Sequence, residues 1–144
     1  IATYHDMVRL PSARAAFGRL YRTLAHADGR ASLVHCTTGK DRTGWAVAAL
    51  LLFLGVRADM VMREYLLSDA AVRAAYADVM DDFVARGGSR AVIEPLMSVQ
   101  PGFLDAALDA MHADHGSIEG YFSHGLGLDR LTRTALRARF LERA

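Results

Sequence analysis

HCTTGKDRTG, residues 35–44, holds the only cysteine of the chain, Cys36, and its only lysine, Lys40. An apolar run, residues 31–34, leads into it, and a helix-like stretch opening on Trp45 follows. Arg42 stands six positions after the cysteine with Gly39 between them, a Cys-x5-Arg spacing. A strand feeding a glycine-containing loop and then a helix aims backbone N–H groups into one concavity. The helix N-terminus adds partial positive charge, so the concavity favours an anion. The same field lowers the pKa of a cysteine at the start of the loop into roughly the 3.5–7.5 range of activated thiols. Cys36 is then a thiolate at neutral pH, a nucleophile for phosphorus. Arg42 holds two phosphoryl oxygens bidentately, more tightly as charge spreads in the transition state. Thr37, Thr38, Gly39, Lys40 and Thr43 line the anion site, Thr43 with a hydroxyl to ease departure of the thiolate. His35 is expected to hydrogen-bond the loop from beneath rather than to react.

A phosphoryl thioenzyme forms only if the leaving oxygen is protonated, and it breaks down only if water is activated. Asp41, inside the loop, is the first candidate for both tasks. The competing reading makes it a loop carboxylate that only orients Arg42 or Lys40. Asp6, further upstream, is a weaker candidate and reads better as a solvated surface acid. A nucleotide-triphosphate loop is excluded, because G-x-x-x-x-G-K-[ST] aligned on Gly39 and Lys40 puts Val34 at the first glycine and Asp41 at the Ser/Thr. A buried structural thiol would account for Cys36, but not for Gly39, Arg42 and the following helix together.

The 144 residues allow one domain, with 52% hydrophobic and 23% charged residues, an ordinary globular composition. A net charge of +1 supplies no global attraction for nucleic acid or a membrane surface. Of 17 basic residues 16 are arginine, which reads as coding bias rather than a basic patch and makes Lys40 the less expected cation. The longest apolar stretch, residues 45–56, is shorter than the roughly 20 residues of a membrane span. A single cysteine excludes an internal disulfide.

Outward from the loop the pattern is mostly helical. Ser12 is a candidate N-cap for a helix carrying Phe17, Leu20, Tyr21 and Leu24, ending near His26 with Asp28 and Gly29 as a turn. Residues 31–35 read as a short buried strand, and residues 1–4 as a second. Arg42 or Thr43 opens a helix that Gly55 closes. Asp59 caps the next, through Leu67. Val72, Tyr76, Val79 and Phe83 form an apolar stripe ending at Gly87 and Gly88, and read as core, as do Met97, Phe103 and Met111. Pro101 starts a helix with Leu104, Ala107, Leu108 and Met111 that ends near Gly116. Residues 118–122 and 129–141 are the last two helices. His112, Asp114 and His115 lack a third convincing metal ligand and read as solvated surface, and Tyr121 and His124 as packing or solvent-facing. One strand cannot satisfy its own backbone groups, so further strands are expected from outside residues 1–144.

HCTTGKDRTG resembles the signature loop of the protein tyrosine phosphatase superfamily. Its Gly-Lys-Asp-Arg-Thr-Gly version is similar to the bacterial tyrosine phosphatases with lipid phosphatase activity, the secreted mycobacterial type among them. Residues 10–14 (LPSAR), 64–68 (EYLLS) and 116–121 (GSIEGY) extend the similarity over essentially the whole chain. The resemblance implies an α/β fold, a short central sheet flanked by many helices. Residues 1–144 would be the C-terminal portion of a single phosphatase domain, without its N-terminal strands. It implies Cys36 as nucleophile, Arg42 as phosphate ligand, and Lys40 and Asp41 in phosphoinositide hydrolysis and catalysis. Lys40 as a second cation suits a substrate with more than one phosphate. A further acid lies upstream in such proteins, and a helical lid is sought in residues 70–101.

The leading reading is therefore a cysteine-dependent phosphomonoesterase for phosphotyrosine, phosphoinositides or both, needing no metal or other cofactor. Its partners are a phosphorylated protein or phosphoinositide, with no nucleic acid and no integral membrane segment; it would be a cytoplasmic or secreted bacterial protein. The alternative is an inactive phosphatase-like module that binds phosphorylated ligands, which an intact nucleophile does not need. A sulfur-transfer or arsenate-reducing enzyme on the same loop geometry is weaker, since Lys40 and Asp41 have no task there and no resolving cysteine exists.

Overall fold

Leu10 precedes a proline and is held extended (φ −63°, ψ 131°). It therefore ends helix α1 (Ala2–Arg9) and starts α2 (Pro11–Ala25), with Pro11 rather than Ser12 at the first helical positions. This is seen in a computed structural model that describes residues 1–27 and 30–142. The turn expected at Asp28 and Gly29 lies outside the described residues. After the loop come α3 (Asp41–Phe53), α4 (Ala58–Ala75), α5 (Ala77–Ala85), α6 (Arg90–Leu96), α7 (Pro101–His115) and α8 (Ile118–Gly120). A π-helical turn (Tyr121–Gly125) continues α8 and α9 (Arg130–Phe140) follows, its first turn capped by Asp129 onto the Thr132 N–H.

The core gathers around α3, where Ala46, Ala48 and Ala49 let neighbouring elements approach and Trp45 and Phe53 fill the remaining space. Phe122 of the π turn is the hub. Its ring stacks on Phe53 at 4.2 Å and meets Tyr21 of α2 at 4.7 Å. Trp45 Nε1 donates to the Tyr121 hydroxyl at 3.2 Å, tying the same turn to α3. On the other side α1 lies along α7, with Tyr4, Met7 and Val8 against the face of Leu104, Ala107 and Met111.

The central sheet expected from the sequence is not observed. Among the described residues there is no strand. Residues 1–4 open α1 instead. Residues 31–35 are non-helical but have no ladder partner, and Leu33 is 89% exposed rather than buried. A strand exists only through its neighbour's hydrogen bonds, and no described segment runs beside this one. Its path is set by α9: Arg139 Nη2 donates to the Arg30 carbonyl at 2.5 Å and to Ser32 Oγ at 3.3 Å.

The expected stripe on α4 and α5 is also corrected. The helix breaks at Tyr76 (φ −111°, ψ 12°), which resets the face. Val72 stays buried, Met80 takes the inner position in α5, and Val79 and Phe83 are exposed. The α5–α6 hairpin packs on itself and on the end of α4. Arg73 of α4 bridges Asp69 at 2.7 Å and Glu94 of α6 at 2.8 Å, and Val99 N–H donates to Asp69 Oδ1 at 2.6 Å.

Candidate functional site

Cys36 sits half-buried at the start of the loop, where residues 36–40 carry no regular structure and α3 begins at Asp41. Gly39 turns the chain with φ 69°, a left-handed conformation that side chains with a Cβ rarely adopt. Burial alone would raise the Cys36 pKa. The Thr43 hydroxyl and the backbone N–H groups of Thr43, Thr38 and Gly39 outweigh it and bring the thiol from 9.0 down to about 6. The Thr43 hydroxyl is buried and has no other hydrogen-bond partner among the described residues.

Arg42 projects into solvent at the mouth of the loop, its Nη2 donating to Thr37 Oγ1 at 3.0 Å. That contact holds the guanidinium back over the loop. His35 is exposed, with Nδ1 3.2 Å from the Cys36 carbonyl.

Lys40 and the Oδ1 atom of Asp41 face α1, α4 and α7. Lys40 is 6% exposed. Its Nζ donates to Asp41 Oδ1 at 2.7 Å and lies 5.4 Å from the centre of the Phe103 ring. The Tyr4 hydroxyl donates to the same Asp41 oxygen at 2.7 Å and is itself 2.7 Å from the Tyr65 hydroxyl. Asp41 therefore orients Lys40 and not Arg42. Asp6 is exposed on α1.

Tyr4, Tyr65 and Phe103 were not singled out for the site by the sequence. Phe103 reads there as core, and it does pack against the core while stacking on Tyr4 at 5.4 Å. Nothing local marks Tyr4 or Tyr65, which lie 37 and 24 residues from Asp41. Beside the loop an apolar cavity of about 330 Å³ opens between α3 and α4, with Gly39, Thr43, Val47, Val61 and Tyr65 in its wall. Among the described residues no group of three or more potential ligands could hold a metal. Asp114 is paired with Arg9 at 2.8 Å, and His115 packs on the Tyr121 ring.

A profile of the tyrosine phosphatase family matches residues 1–142. The chain belongs to the tyrosine phosphatase family. Within it, the chain is 36% identical over 116 residues to a protein of Cupriavidus necator named as a tyrosine-protein phosphatase, covering 81% of this chain and 42% of that one. It is 28% identical over 141 residues to the triple specificity protein phosphatase PtpB of Mycobacterium tuberculosis, covering 90% and 51%. A tyrosine-protein phosphatase of Nostoc commune shares 31% over 113 residues, covering 73% and 37%. The chain thus spans about half the length, or less, of these curated relatives. These similarities make it a bacterial member of the tyrosine phosphatase superfamily.

Proposed function

We propose that the protein carrying this chain is a cysteine-dependent phosphomonoester hydrolase acting on phosphotyrosine, phosphoinositides or both. The observation that carries the reading is a thiol lowered to about 6 by a ring of loop donors, in a Cys-x5-Arg loop whose arginine is held at its mouth.

In this reading the Cys36 thiolate attacks phosphorus in line. The S–P bond forms as the P–O bond to the leaving group breaks, and Asp41 gives its proton to the departing oxygen. Arg42 and the loop N–H groups hold the three non-bridging oxygens as their charge spreads. Water then attacks the phosphocysteine and passes its proton to Asp41. The S–P electron pair returns to sulfur, and the Thr43 hydroxyl donates a hydrogen bond to the thiolate. The α5–α6 hairpin is the lid candidate.

Two observations bear on substrate. The name of the mycobacterial relative describes triple specificity, which favours a site open to more than one phosphoester class. Lys40 is buried against Asp41 and Phe103, so a second phosphate reaches it only if that pair opens.

The test is hydrolysis of a phosphotyrosine peptide and of mono- and polyphosphorylated inositides by the full-length protein, beside Cys36→Ser. We expect the substitution to abolish turnover and leave phosphate binding. Undiminished turnover in Cys36→Ser would overturn the proposal. Binding without turnover in the wild type would establish the inactive module in its place.

A further inference from the structure

The hydroxyls of Tyr4 and Tyr65 lie far from Asp41 in sequence, yet they close on its carboxylate as an ordered chain. Tyr4 has a single proton, which goes to Asp41 Oδ1. The short contact between the two phenols is then donated by Tyr65. The order is Tyr65 to Tyr4 to Asp41, with Lys40 donating to the same oxygen from the other side. Both phenols are held neutral across the working pH range. Burial, followed by the hydrogen bonds to Tyr65 and Asp41, raises Tyr4. Burial pushes Tyr65 up to about 12, with the hydrogen bond of Tyr4 pulling the other way. They are donors with no competing ionisation.

The loop sequence is built to receive them. A Cβ on Gly44 would sit 2.6 Å from Tyr65 Cε2, so the glycine closing the motif is the space that the Tyr65 ring occupies. Phe103 stacks on Tyr4 and backs the Lys40 ammonium, locking the other half of the cluster. Oδ1 of Asp41 is thus fully occupied. Among the described residues no protein hydrogen bond reaches Oδ2, and the side chain keeps 29% of its surface.

We infer that Tyr4 and Tyr65 are positioning residues that, with Lys40, pin one oxygen of Asp41 and leave the other to exchange protons with the leaving group and with water. The inference rests on Asp41 as the acid of the proposed reaction. Its signature follows from the chemistry. A misplaced acid matters little when the leaving group departs easily as an anion and much when it does not.

The experiment compares kcat and KM of the full-length wild type, Asp41→Asn, Tyr4→Phe, Tyr65→Phe and the Tyr4→Phe/Asp41→Asn double variant. The substrates are aryl phosphates running from acidic to weakly acidic phenols. Asp41→Asn is expected to lower kcat about 100-fold or more on the weakest leaving groups and far less on the most acidic. Tyr4→Phe should give the same slope at about tenfold, and Tyr65→Phe, one bond removed, at roughly threefold, with KM little changed. The double variant should be no slower than Asp41→Asn alone, because the phenols act only through that carboxylate.

A steep Asp41→Asn profile beside flat losses in Tyr4→Phe and Tyr65→Phe would overturn the positioning role and leave the acid in place. A flat Asp41→Asn profile would overturn the acid assignment itself, and the inference with it. Should Tyr4→Phe fail to fold, Tyr65→Phe, which loses only the outer hydroxyl, carries the same comparison. Inhibition by inorganic phosphate reports an intact loop in each variant.

Discussion

Thr43 is one of the loop donors that lower the pKa of Cys36. Its buried hydroxyl has no other hydrogen-bond partner among the described residues and favours the charged form of Cys36. Because the folded pKa of Cys36 is about 6, the thiolate dominates above that value. The acid limb of kcat/KM is therefore expected to rise through about pH 6. The same depression means that the thiolate's contribution to stability is complete above the ordinary value of 9.0 and is lost as pH falls through about 6. Thr43→Ala should move the acid limb up by roughly one unit, the worth of one charge-assisted hydrogen bond at 1.36 kcal/mol per unit. The pH dependence of Cys36 alkylation reads this directly, and an unmoved limb would remove Thr43 from the support of the thiolate. The grouping of Cys36, Arg42 and Thr43 was legible in the sequence because they lie within one short loop. The direction taken by Lys40 and Asp41 was not. Both belong to the same loop, but their partners come from α1, α4 and α7.

At the scale of elements, α3 and α4 are coupled through a missing side chain. Gly44 of α3 makes room for the Tyr65 ring of α4. Gly44→Ala forces that ring aside, at an expected cost of about 1–3 kcal/mol for overpacking a filled site. Urea denaturation checks this, and stability equal to wild type would show that the ring yields freely. Helix ends written in local chemistry were readable beforehand: Pro101 opens α7, Gly55 follows α3, and Gly116 follows α7. The break at Tyr76 was not, because no proline or glycine marks it. An apolar period carried across it assigned Phe83 to the core, when Met80 is the residue that faces inward. Residues 31–35 failed for a different reason. A buried strand requires a partner, and a short apolar run of five residues contains no information about whether one is present.

At the scale of the molecule, Phe122 joins α2, α3 and the π turn, with its ring fully buried between Tyr21 and Phe53. Phe122→Ala is expected to cost about 3–5 kcal/mol, the range for emptying a large aromatic site in a packed core. A shift in the chemical-denaturation midpoint measures it, and a loss below about 1 kcal/mol would mean that the site collapses without consequence. Arg137 adds a second tie from α9, its guanidinium 4.1 Å from the Phe53 ring centre and its Nη2 donating to the Phe53 carbonyl. Through these contacts the last helix fixes the far end of α3, while Arg139 steers the segment entering the loop. Taken by itself, the sequence determined the Cys-x5-Arg loop, its family and most helix ends, since each is set by neighbours a few positions apart. Only the tertiary structure decided what lies behind the loop: the pairing of Lys40 with Asp41, the two phenols that reach it, and the exposed course of residues 31–35. Those contacts join residues separated by up to 109 positions, and local propensity says nothing about which distant side chains the packed core brings together.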